Sequence, residues 1–348
     1  MAQQHGGDIY RNKVNIDFSV NVNPLGMPEG VKQALKDSVE DCMHYPDPQA
    51  VKLREALADY SGVPADWILC GNGASELFLA AVHAIHPKRA LLPGPSFYGY
   101  FHALAAMETE VVIFPLALEQ NFTVTKDLCD ALTDDIDMLF LADPNNPTGQ
   151  RLASDVLQEI LTACRKHHII VILDQCFAEL SGQQCHISPE LTGYDNVVVV
   201  RAFTKQFAMA GVRLGYGICS NEGLLRLIQR QLPEWNVSVP AQQAGIAACK
   251  EQKFLERSLT LIAQERTYLE SEFTSMGMKV FPSHSNFLLF RSPISLYEPL
   301  LERGILIRDC SNFQGLDEGN FYRIAVRTHE ENQKLVEVIG ELIWDGKV

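Results

Sequence analysis

Short apolar runs, "RALLPG" (89–94), "VVIFPL" (111–116), "DMLFLADP" (137–144), "IIVILD" (169–174), "NVVVVRAF" (196–203) and "GYGICS" (215–220), alternate with helix-length amphipathic stretches such as "SELFLAAVHAI" and "SDVLQEILTACRKHH". Near-continuous apolar strands interleaved with helices predict an α/β large domain, a mostly parallel sheet covered by helices on both faces. From Pro240 to Phe273 apolar residues recur at helical spacing, which predicts one long helix connecting two domains. After it "KVFPSHSNFLLFRS", "GILIRD" and "NFYRIAVRT" read as strands of a smaller α+β domain, closed by the helical "EENQKLVEVIGELIWD". The expected division is a large domain over 31–245 and a small one over 246–348. Residues 1–30, rich in Pro, Gly and Asn around "FSVNVNPLGMP", are expected to join them across the mouth of a site.

Composition narrows the function classes. The 348-residue chain is 47% hydrophobic and 21% charged, which suits one large core and a second, smaller one. Its 43 acidic residues outweigh 29 basic ones, for a formal charge of −14. A nucleic-acid or anionic-membrane surface needs a basic field, so neither partner is expected. An anionic small molecule must instead meet a local cluster of arginines. The nine cysteines form an odd, scattered set with no CxxC pair, as expected of thiols in a reducing cytoplasm. "MAQQHGGDIYRNK" has no apolar signal core, and no apolar run is long enough to span a bilayer.

Open parallel sheets gather ligands at the carboxyl ends of their strands, and that is where this sequence carries its chemistry. After "ILC" comes "GNGASE", in which Gly71 and Gly73 permit close backbone approach and Ser75 begins a helix able to hold a phosphate. After "LFLA" comes "DPNNPTG" with Asn146; after "IIVIL" comes Asp174; after "NVVVV" comes Lys205, with Arg213 beyond it. Each alone also reads as a cap, a turn former or a surface charge. Together they match the needs of pyridoxal 5'-phosphate. Lys205 supplies an amine for the aldehyde, Asp174 a carboxylate for the pyridinium nitrogen, and Asn146 a donor to the phenolate oxygen. Gly73, Ala74, Ser75, Thr204 and Arg213 can hold the phosphate, and Phe97 in "PGPSFYGY" can stack on the ring. Apolar neighbours and Arg213 would favour the neutral, nucleophilic form of Lys205.

In "PNNPTG" and "TKQFAMAGVRLGYG" together the chain resembles the histidinol-phosphate aminotransferase family of fold type I pyridoxal phosphate enzymes, over essentially its whole length. "HGGDIYR", "IDFSVNVNPLGMP", "HYPDP", "ILIRDCSNFQGLD" and "YRIAVR" make it similar, within that family, to the threonine-phosphate decarboxylases of cobalamin synthesis. The resemblance implies decarboxylation of L-threonine O-3-phosphate to (R)-1-amino-2-propanol O-2-phosphate. It also implies a homodimer in which Tyr45 reaches the cofactor phosphate of a neighbouring subunit. A histidinol-phosphate aminotransferase, a serine-phosphate decarboxylase and a catalytically idle module of the same fold are the alternatives. The family's carboxylate-binding arginine falls on Arg323. Arg327 is expected on the same strand face, and Arg308 adds a third cation for a small phosphorylated amino acid substrate. Asn21 and His5 are further substrate candidates, His5 reading equally as a turn cap. The chain departs from the aminotransferase pattern at Phe177, where a tyrosine is usual, at Gln175, where an acid is usual, and at Ala202, where a hydroxyl is usual.

Overall fold

The computed structural model describes residues 6–183 and 189–345. Its strands in chain order are β1 (Ile16–Asp17), β2 (Ile68–Gly71), β3 (Arg89–Gly94), β4 (Glu110–Pro115), β5 (Met138–Ala142), β6 (Ile170–Asp174), β7 (Val197–Ala202), β8 (Gly215–Ile218), β9 (Lys279–Val280), β10 (Phe287–Arg291), β11 (Ile305–Leu306), β12 (Arg308–Asp309) and β13 (Phe321–Ala325). The main sheet has the order β2-β8-β7-β6-β5-β3-β4, and only β8 runs against its neighbours.

Alternation along these strands explains why the runs are apolar throughout. Leu91, Leu139, Leu141, Val171, Leu173, Val197 and Val199 pack into one core layer. Ala90, Leu92, Met138, Phe140, Ile172, Val198 and Val200 pack into the other. Successive side chains point to opposite faces, so a strand buried on both sides shows no polar period. Register then sets the site: Ala142, Asp174 and Val200 lie abreast. The chain leaves β5, β6 and β7 along one rim, on which the loops to Asn146, Cys176 and Lys205 begin.

The smaller sheet is antiparallel, ordered β12-β13-β10-β9. The opening segment belongs with it in space, because β1 pairs with β11 and Phe18 is buried among Leu269, Phe290 and Ile324. The expected single connector is two helices, Val239–Ala248 and Gln252–Ser275. Between them Lys250 N and Glu251 N bond the carbonyls of Ala247 and Ala248, three residues back, so the chain tightens and turns. The turn lets Ala244, Ala248, Phe254 and Leu255 all reach the same core. Among the described residues no helix is long and apolar enough to cross a membrane.

Candidate active site

A cavity of about 200 Å³ opens at that rim, and Lys205, Asp174, Asn146, Thr204 and Arg213 all line it. Lys205 sits in the one-turn helix Phe203–Gln206, wedged by the buried Phe203, Phe207 and Met209. Burial lowers its pKa to about 8, and the nearby Arg323 and Arg213 add to the effect while Asp174 opposes it. The amine is therefore still mostly protonated near neutral pH, but far more of it is neutral there than for a lysine in water.

Asp174 ends β6 and faces the lysine from the floor of the cavity. Its Oδ1 accepts the Cys176 amide at 2.9 Å, and its Oδ2 accepts the Tyr100 hydroxyl at 2.5 Å. Burial raises its pKa, while those hydrogen bonds and Lys205 pull it back. Phe97 lines the cavity at the start of the helix Tyr98–Ala105. Phe177 lines it too, packed edge-on to Phe287 at 5.0 Å, and contributes no hydroxyl.

The phosphate end is built from backbone. Gly73 caps the helix Ala74–Ile85 with φ of 82°, a conformation that side chains rarely adopt, and no side chain caps that helix. A Cβ on Gly73 would lie 2.6 Å from Arg213 Nη2, and one on Gly215 would lie 2.7 Å from the Gly73 carbonyl carbon. Two missing side chains thus bring an arginine and a helix N-terminus together, a combination that suits a phosphate dianion. Ala74, Ser75, Thr204 and Ala202 complete that wall.

The cavity is also lined by Arg323 and Arg308, 7% and 5% exposed. Arg323 donates through Nη1 to Asn146 Oδ1 and through Nη2 to the Ser19 carbonyl at 2.8 Å, while its buried Nε has no partner. Among the described residues no carboxylate forms an ion pair with it. Burial, with Arg308 beside it, lowers its pKa to about 10. The bond to Arg323 orients the Asn146 amide so that its nitrogen remains free to donate. Asn21, 2% exposed, lines the same cavity with an unpartnered Oδ1. Arg308 donates to Asn312 Oδ1 at 2.7 Å and lies over Phe313.

Arg327 is not in the cavity. Strand β13 ends at Ala325, so the alternation that would align Arg327 with Arg323 stops before reaching it. Its backbone amide bonds Asn332 Oδ1 and its Nη2 bonds Glu331 Oε1 at 2.7 Å, at the start of the helix His329–Asp345. Tyr45 is also outside: 80% exposed, it meets Trp235 at a tilt of 34° with ring centroids 4.8 Å apart. His5 lies outside the described residues.

One constellation escaped the sequence reading. Arg201 and Glu179 form an ion pair at 3.2 Å, with side chains 3% and 2% exposed. Arg201 also bonds Gln175 Oε1 at 2.9 Å, and the Gln206 amide nitrogen, turned toward Glu179, reaches its Oε2 at 3.2 Å. One buried pair thus ties down the residues that follow Asp174 and Lys205. It also accounts for Gln175, since an acid there would set two buried carboxylates against one guanidinium. The unusual polar residues Arg201 in "NVVVVRAF" and Glu179 in "FAEL" were the available signal.

The donor set fits pyridoxal phosphate: an amine with lowered pKa, a carboxylate, an oriented amide and a cradle that a Cβ would fill. A family model of aminotransferase class I and II matches residues 13–339. The threonine-phosphate decarboxylase of Salmonella typhimurium is 34% identical over 332 residues, covering 94% of this chain and 91% of that protein. The histidinol-phosphate aminotransferase of Symbiobacterium thermophilum is also 34% identical, covering 95% and 91%. The solved histidinol-phosphate aminotransferase from Clostridium acetobutylicum superposes with a TM-score of 0.87 at 29% identity, covering 95% of this chain and 99% of that one. The L-threonine-O-3-phosphate decarboxylase from Porphyromonas gingivalis gives 0.82 at 25% identity, covering 94% and 99%. By sequence over nearly its whole length, this chain belongs to the aminotransferase class I and II family.

Proposed function

We propose that the chain is a pyridoxal phosphate-dependent carboxy-lyase that converts L-threonine O-3-phosphate to (R)-1-amino-2-propanol O-2-phosphate and CO2, a step of cobalamin synthesis. The observation that carries this reading is the pair of buried arginines, Arg308 and Arg323, facing the same cavity as Lys205 and Asp174. Two guanidiniums suit a substrate that bears both a phosphate and a carboxylate.

The cofactor, when bound, would supply an electron sink for the bond broken at the substrate's Cα. Lys205 would hold the aldehyde carbon, and its amine is the candidate acid to return a proton to the substrate's Cα. Asp174 holds the ring nitrogen, Asn146 donates to the phenolate oxygen, and Phe97 covers a ring face. Gly73, Ala74, Ser75, Thr204 and Arg213 hold the cofactor phosphate. Arg308 and Arg323 would fix the substrate's phosphate and carboxylate, with Asn21 lining the same cavity, so that the carboxylate rather than the Cα hydrogen is the group lost; His5, the further substrate candidate, lies outside the described residues. The large domain thereby carries the cofactor, and the small domain with the opening segment carries the substrate.

A homodimer follows from the same reading. Val39, Met43, Tyr45, Val51 and Trp235 are exposed apolar residues in two nearby segments, and Tyr45 is suited to reach the cofactor phosphate of a second copy. Eight described cysteines are free, which suits the cytoplasm. The second reading, histidinol-phosphate transamination, draws on the equal identity to an aminotransferase. Product analysis separates them: purified holoenzyme with L-threonine O-3-phosphate yields the amino alcohol phosphate by mass spectrometry, without accumulation of the pyridoxamine form. Accumulated pyridoxamine phosphate would favour transamination.

A further inference from the structure

The hydrogen bond from Tyr100 to Asp174 joins residues 74 positions apart in the chain. Tyr100 is 1% exposed and held by rings: Phe140 stacks on it at 4.9 Å, while Phe78 and Phe97 meet it edge-on at 5.2 and 5.5 Å. Its only freedom is the direction of its hydroxyl, and that is fixed on Asp174 Oδ2. With Oδ1 held by the Cys176 amide, both carboxylate oxygens are located. The other titratable groups facing Asp174 are the Cys176 thiol and Lys205. Burial and the adjacent Asp174 push the Tyr100 phenol well above its ordinary pKa, so it remains a donor.

We propose that Tyr100 is a positioning residue that keeps Asp174 ionised, so that the one proton shared by this carboxylate and the ring nitrogen of bound pyridoxal phosphate resides on the ring. The pair has two forms, carboxylic acid with neutral ring or carboxylate with pyridinium, related by moving that proton from oxygen to nitrogen. A donated hydrogen bond stabilises the carboxylate selectively and so favours the pyridinium. The inference rests on the cofactor assignment above and is independent of the substrate.

The test uses holoenzyme reconstituted with pyridoxal phosphate labelled with 15N in the ring, comparing wild type, Tyr100→Phe, Asp174→Asn and the double variant by NMR. Phenylalanine preserves the aromatic packing. The ring-nitrogen signal of Tyr100→Phe is expected to move from the protonated toward the unprotonated position, and the double variant to match Asp174→Asn alone. Tyr100→His, which restores a donor, should recover part of the shift. In parallel kcat should fall about tenfold or more, the loss of one hydrogen bond to a charge, with KM within about twofold. A wild-type signal in Tyr100→Phe, or an equal further change in the Asp174→Asn background, overturns the inference. Failure of wild type to bind the cofactor would overturn the cofactor assignment and this inference together, whereas an intact complex with an unmoved signal would sink only the role of Tyr100.

Discussion

Lys205 shows how one side chain is tuned by its surroundings. Burial and two arginines lower its pKa to about 8, so below that pH the amine is protonated and cannot capture an aldehyde. The rate at which apoenzyme captures pyridoxal phosphate, followed by absorbance, should rise with pH through a midpoint near 8 and then level. A lysine in water would still be gaining reactivity at about pH 10. The arginines differ in the same way. Among the described residues Arg323 is buried without a carboxylate partner, while Arg327 is paired with Glu331. Arg323→Gln should cost about 100-fold in kcat/KM, and Arg327→Gln less than about threefold, by steady-state kinetics. The lysine, carboxylate, amide and phosphate arginine were legible in the sequence because each follows an apolar run, and strand ends are where such sheets place ligands. Tyr100 was not, because "YGYFHALA" reads as core helix and its partner is distant in the chain. Only its spacing of one helical turn after Phe97 hinted at it.

At the scale of elements, pattern predicts strands well where burial is two-sided, since β3 and β5 to β8 all coincide with apolar runs and are largely buried, while the edge strand β4 has an apolar run that stays only partly buried. It fails where a local hydrogen-bond choice decides. Nothing in "ACKEQ" is a glycine or proline, yet the long helix breaks there because two apolar stripes must reach one core. Likewise the period that would have aligned Arg323 with Arg327 ends with β13. Beneath the site, the ion pair of Arg201 and Glu179 links the turn after β6 to the helix after β7. Removing one member leaves an uncompensated buried charge. Glu179→Gln should therefore destabilise the protein by about 3–5 kcal/mol in denaturant titrations. A cost below about 1 kcal/mol would mean that the pair is not a brace.

For the whole molecule, the substrate side and the cofactor side come from different sheets and meet at the "PNNPTG" loop. Arg323 grips Asn146, the His284 amide bonds the Gly149 carbonyl, and Gln150 bonds the Pro282 carbonyl. Sequence could name both halves but not this seam, which depends on how the two bodies pack. The proposed dimer has a direct test. Mixing Lys205→Ala and Tyr45→Ala subunits should restore roughly a quarter of wild-type activity, since each hybrid then has one intact shared site. No recovery would mean that Tyr45 serves only its own subunit. The central claim is the reaction itself. Purified enzyme with pyridoxal phosphate should release one CO2 for each L-threonine O-3-phosphate consumed, and should form no glutamate from histidinol phosphate and 2-oxoglutarate. Glutamate without CO2 would contradict the account and make the chain a transaminase.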